Sequence, residues 1–246
     1  MAFIIFIYGL LFGSFFNVAG LRIPLKQSVI FLESACPHCE KRLSAIEMIP
    51  VISFLVLGGK CRYCKVQISP VYPAMELLTA CLFTYAFIHL GWTNELIIAW
   101  TLISLFMIIT VSDITYMLIP DKVLLAFSVI FLLERIIEPL HPWWSSLAGA
   151  ATGFGLLLFI AIVSKGAMGG GDIKLFAVLG FAIGTKVVLL SFFLATLIGA
   201  IAGGIGMMVG SVKKGEAIPF GPFIAIGTLF AYFYHEEILL WYFGFL

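Results

Sequence analysis

Apolar runs long enough to cross a bilayer occupy most of this sequence. A helix spanning the hydrocarbon needs ~20 predominantly apolar residues. Eight stretches approach or reach that length: about 2–21, 71–91, 95–112, 121–138, 144–164, 173–186, 187–210 and 218–242. Inside hydrocarbon every backbone N–H and C=O must be paired without water, which leaves only helices and closed barrels as spanning structures. The runs are continuous rather than alternating, which argues against a barrel. The expected fold class is therefore an all-α polytopic membrane protein with about eight transmembrane helices. Composition agrees: 62% of residues are hydrophobic and 11% charged, where a soluble domain has about 45–50% and 25%. The sixth run is short, and Lys186 with the glycines near it marks the turn into the seventh.

The first run has no basic residue ahead of its apolar core, and its polar flank, Arg22, follows it. It reads as a span rather than a secretion signal. Threading the runs alternately places Arg22, Lys26, Lys41, Arg42, Lys60, Arg62, Lys65, Lys122, Lys165, Lys174, Lys213 and Lys214 on one side, and only Arg135 and Lys186 on the other. The positive-inside rule makes the richer side cytoplasmic. Both termini are then expected outside. The chain divides into a first span (1–21), a cytoplasmic loop (22–70) and the remaining spans (71–246).

Loop 22–70 is the one long polar stretch, and it contains CPHC and CRYC. In a reducing compartment paired CxxC knuckles point to zinc rather than disulfides. Cys36, Cys39, Cys61 and Cys64 are the expected ligands. Four thiolates close the coordination sphere, so such an ion is structural, and a loop this small needs a staple of that kind. His38 is expected to be exposed, and Cys81 to be a buried small apolar residue.

Acids are costly in such a chain, by about 2.5–3.5 kcal/mol at mid-bilayer, and so mark function. Asp113 ends the third run and Asp172 begins the sixth, both at the cytoplasmic edge. Two nearby carboxylates share one proton, so that one activates water and the other supplies a proton. A pair of this kind hydrolyses peptides without a covalent intermediate. Gly169, Gly170 and Gly171 precede Asp172 and permit close backbone approach and positive φ. Asp172 is also a candidate helix cap, as is Asp121 after Ile119-Pro120. Asn17 lies within the first run and needs a partner there. Arg22 could bind an anionic group, and Glu76, in the first turns of the second run, carries a functional prior of its own. IPFGPFIAIG, 218–227, reads as a proline-broken start to the last span with a structural role.

Taken in order, GSFFNV with RIP, the two CxxC knuckles, ISPVYPAMELL, DITYMLIPD, GGGDIKL and IPFGPFIA resemble the bacterial type IV prepilin peptidases, membrane aspartyl proteases of the GxGD type. The resemblance implies that 71–246 is a protease core with Asp113 and Asp172 catalytic, and that Cys36, Cys39, Cys61 and Cys64 bind zinc. It implies removal of the basic leader from prepilins and pseudopilins on the cytoplasmic side. It further implies N-methylation with S-adenosylmethionine. Substrate contact is expected from Glu76, Asn17, Arg22, Gly169 and Gly171, with Glu76 meeting either the leader's basic residues or the substrate amine. Prepilins and membrane lipid are the expected partners, with no nucleic acid. The expected location is the bacterial cytoplasmic membrane. The competing reading is a polytopic transporter or scaffold with a structural zinc site.

Overall fold

The computed structural model describes residues 1–29, 34–36, 38–165, 168–211, 213 and 218–244. Lys214, counted above among the inside-facing bases, lies outside them, as do Gly166 and Ala167 at the head of the glycine-rich segment. The chain forms α1 (Ala2–Arg22), a 3₁₀ turn (Ala45–Met48), α2 (Ile52–Val56), α3 (Val71–Leu90), α4 (Asn94–Tyr116), α5 (Asp121–Ile137), α6 (Ser145–Val163), α7 (Gly170–Met208) and α8 (Gly221–Phe243). Six of these helices are long and apolar enough to cross a membrane, against the eight spans expected. Two features account for the difference. α5 has only 17 residues and carries Asp121, Lys122, Glu134 and Arg135, while the sixth and seventh runs share α7.

α7 is nevertheless two helices. Gly184 interrupts it at φ 78° and ψ 174°, a conformation open essentially only to glycine. The rings of Phe176 and Phe192 lie 5.8 Å apart, whereas sixteen residues of straight helix would separate them by about 24 Å. The chain therefore reverses at Gly184, two residues before the turn expected at Lys186. Arg135 supports this reversal. It is a buried residue whose Nε donates to Ala182 O at 2.7 Å and whose Nη1 donates to Glu138 O at 3.2 Å. Ala182 is in the last turn before the break, where helix carbonyls lack intrahelical donors.

Contacts divide the chain into two compact units, Met1–Val111 and Ser112–Leu246. In the first, α1 and α3 run antiparallel in close contact. A Cβ at Gly13 would come 2.7 Å from Glu76 Cα, so this approach requires glycine. Phe83 stacks on Trp100 at 5.6 Å and accepts its indole N–H at 3.0 Å through the backbone oxygen. Leu102, Ile103, Phe106 and Ile109 of α4 are fully enclosed. In the second unit, Gly149 of α6 and Gly180 of α7 meet backbone to backbone. Small residues permit this closeness in membrane bundles, where hydrophobic burial gives no drive for helix association. Phe131, Leu157 and Phe176 are enclosed, while Leu125, Ile136, Phe159, Ile162 and Phe193 are exposed, as lipid-facing residues should be.

Replacing Gly184 with valine should destabilise the protein by about 1–3 kcal/mol. A lowered thermal unfolding midpoint of the detergent-solubilised chain checks this.

Candidate active site and metal centre

Asp113 sits one turn before α4 ends. The helix stops because Met117 adopts φ 51° and Ser112 Oγ donates to Leu118 O at 2.6 Å, folding the following segment back. Asp113 is buried, 7% exposed. Its Oδ2 accepts the backbone N–H of Gly221 at 2.7 Å. Gly221 is the first residue of α8, and the N–H groups of a first helical turn have no partner within the helix. The broken segment 218–227, expected to be structural, thus supplies a direct ligand to an acid of the site. The sequence signal was present: a glycine beginning a helix and a proline just behind it.

Asp172 is the third residue of α7, not its cap. Gly169 occupies the cap position, with φ −67° and ψ 137°. The Asp172 carboxylate reaches back to accept the Gly169 N–H, and its own N–H donates to Gly169 O at 3.1 Å. An acid at this position complements the positive end of the helix. The three glycines do not use positive φ, as expected above; Gly170 and Gly171 are already helical. They serve closeness instead. A Cβ at Gly171 would stand 2.9 Å from Ile119 Cβ, and one at Gly169 would stand 2.9 Å from Asp172 Oδ2. Ile119 belongs to the segment that Asp113 precedes, so this contact seats the two acid-bearing stretches on each other. Asp113 lies within electrostatic reach of Asp172, as the two-carboxylate reading requires.

Asp121 is not a cap either, since Pro120 holds that position. Its two oxygens both take Lys174 Nζ at 2.8 Å.

The remaining expected site residues lie in the first unit. Asn17 is 3% exposed and donates Nδ2 to Tyr72 O at 3.0 Å, while its Oδ1 has no partner among the described residues. Arg22 Nη1 donates to Ser28 O at 3.4 Å. Glu76 is buried; its Oε2 accepts the N–H of Val51 at 2.8 Å, and Ser14 also bonds to its carboxylate. Val51 precedes α2 at φ 60°, a strained conformation for a β-branched residue, so Glu76 holds the loop in an otherwise unfavourable shape.

The four cysteines meet. Their sulfurs all lie within 4.8 Å of one another, with Cys36–Cys64 at 3.8 Å and Cys39–Cys61 at 4.0 Å, and none is disulfide-bonded. Four sulfurs about 2.3 Å from a central ion stand about 3.8 Å apart in a tetrahedron. The cluster could hold such a metal. Its two halves repeat: Cys36 N donates to Lys41 O and Cys61 N to Val66 O, and Glu40 and Lys65 share φ values near 56° and 59°. The backbone N–H groups of Cys64 and Tyr63 draw the Cys61 thiol down to about 6, favouring the thiolate a metal needs. His38 is exposed, as expected. Cys81 is exposed rather than buried; on a membrane helix an apolar side chain can face lipid at no cost.

Two family models match the chain: the bacterial peptidase A24 N-terminal domain over residues 7–90 and the type IV leader peptidase family over residues 100–204. A prepilin leader peptidase/N-methyltransferase of Bacillus subtilis (strain 168) is 46% identical over 239 residues, covering 97% of this chain and 96% of its own. The chain belongs to the type IV leader peptidase family. Proteins of the same description from Stutzerimonas stutzeri and Legionella pneumophila are 33% and 34% identical, and the matches cover 92% and 82% of their lengths. No solved structure matches. The first family model takes in both cysteine knuckles and Glu76, and the second takes in Asp113 and Asp172.

Because the four sulfurs could hold a metal ion, a Cys61→Ser variant should retain less zinc than the unaltered chain and leave loop 22–70 more open to proteolysis. Elemental analysis of the purified protein, together with limited digestion, checks this.

Proposed function

We propose that this chain is a membrane aspartyl endopeptidase that removes the basic leader from type IV prepilins and pseudopilins, and then methylates the new N-terminus. The observation that carries the reading is that Asp113 and Asp172, each on a different helix, lie within electrostatic reach of each other, in a chain so similar to enzymes of that description. The pair would share one proton. The ionised carboxylate takes a proton from water, whose oxygen attacks the scissile carbonyl carbon, while the protonated partner stabilises the developing oxyanion by donating its proton. Collapse of the tetrahedral species breaks the C–N bond; the leaving amine takes up the proton gained from water, and one hydroxyl returns its proton to the partner carboxylate as it becomes the carbonyl of the new acid. The Gly221 N–H fixes the direction of Asp113 through these steps, and the Gly169 N–H does the same for Asp172.

Cys36, Cys39, Cys61 and Cys64 would hold a zinc ion that shapes the loop and, having four protein ligands, offers no open position to substrate. S-adenosylmethionine would supply the methyl group; no residue is assigned to hold it. Gly169 and Gly171 border the acid pair and remain substrate-contact candidates, with Asn17 and Arg22. Glu76 is engaged by Val51 and Ser14, which supports a role in holding the loop over direct contact with the leader. Twelve of the fourteen lysines and arginines fall on one side of the threaded spans, which supports a cytoplasmic active-site edge. A bacterial inner-membrane location follows from the substrate, with membrane lipid against the exposed apolar side chains.

Asp113→Asn and Asp172→Asn should each lower cleavage of a prepilin by at least about a thousandfold, with the protein still inserted. Mass spectrometry of the products reads cleavage and methylation together. Full activity in either variant would refute the pair.

A further inference from the structure

The acid pair has a charged neighbour that the chemistry above leaves unused. Lys174 follows Asp172 by two residues, and its Nζ lies 2.8 Å from both oxygens of Asp121. The two side chains are 56% and 69% exposed. Ile119, two residues before Asp121, rests against Gly171, so the ion pair stands beside the first turn of α7, where Asp172 is. The other acids among the described residues of this unit are Asp113, Glu134, Glu138, Glu236 and Glu237. Glu134 and Glu138 lie at the opposite end of α5, and Glu236 and Glu237 lie in the last turns of α8, away from Gly221. Beyond the acid pair itself, Asp121 is therefore the one carboxylate at this end of the unit among its described residues. Exposed ion pairs contribute little to stability, and such a pair can exchange one cation for another.

We propose that Asp121 is the docking carboxylate for a cationic side chain of the leader, and that Lys174 occupies its place in the free enzyme. The proposal rests on the function proposed above. A lysine or arginine of the leader displaces Lys174, which turns out to solvent. An arginine gains two parallel hydrogen bonds to the carboxylate. A neutral leader cannot displace the lysine and loses this contact, so the pair discriminates by charge.

The test uses the full chain in lipid–detergent micelles and two prepilins of identical mature sequence, one with its basic leader and one with every leader lysine and arginine changed to glutamine. Asp121→Asn should raise KM for the basic-leader substrate about three- to tenfold with kcat nearly constant, and so narrow the preference between the two. Asp121→Glu should restore it. Lys174→Gln, which leaves the carboxylate vacant, should lower KM for the basic leader alone. Raised salt should shrink both effects, because exposed charges are screened. Equal losses on both substrates, or the same loss from Asp121→Asn and Lys174→Gln, would show that the pair only braces the loop and overturn the proposal. If the wild-type chain cleaves neither substrate, the functional reading fails. The relative affinity of wild type and Asp121→Asn for uncleaved basic-leader peptide then still decides the docking role.

Discussion

Asp113 is a carboxylate enclosed at the end of an apolar helix, and the backbone N–H of Gly221 is what meets it. A buried acid without a donor is strongly disfavoured, so this bond ties the start of α8 to the end of α4. α8 can supply the donor because its first residues have N–H groups left over by helix geometry. The Pro222 ring follows in the first turn, where it is tolerated. The same logic holds Asp172, met by the Gly169 N–H ahead of α7. Each acid is thus fixed by a helix N-terminus. The donor in each case is backbone rather than side chain.

Contact between glycine and its neighbours brings the two held acids within electrostatic reach of each other. Gly171 lets the first turn of α7 rest on Ile119, and Ile119 is joined to Asp113 by a short segment that Ser112 and Met117 fold back. A larger residue at Gly171 would lift α7 from that segment and separate the carboxylates without touching either. Further along, Gly149 and Gly180 bring α6 against α7, and Gly184 with Arg135 reverses the chain. The geometry at the acid end thus depends on packing several turns away.

Much of this was legible in the sequence, because hydrophobic run length and cysteine spacing are local signals. All eight runs are helical, and the four cysteines converge to within 4.8 Å of one another. Asp113 and Asp172 stood out because an acid in hydrocarbon demands explanation. What escaped was non-local. Gly221 read as structural because its value lies in one N–H, which no side chain advertises. Glu76 stood out because its cost was visible, while its donor, the backbone of Val51, was not. Arg135 looked like an ordinary outer-side base, since nothing nearby in sequence indicates that it meets Ala182 from another helix. Cys81 was misjudged by applying soluble-protein burial to a helix whose outer face meets lipid.

The short sixth run gives the first part of α7 less length than a bilayer crossing needs. From Gly170 to the break at Gly184 there are fourteen helical residues, about 21 Å of helix in a hydrocarbon layer ~30 Å thick. A helix that ends short leaves roughly 9 Å of that layer to be covered by other backbone. Non-helical backbone at such depth is tolerated only where protein or a water-filled cavity surrounds it. The break at Gly184 therefore leaves the first part of α7 about two helical turns short of the layer's thickness.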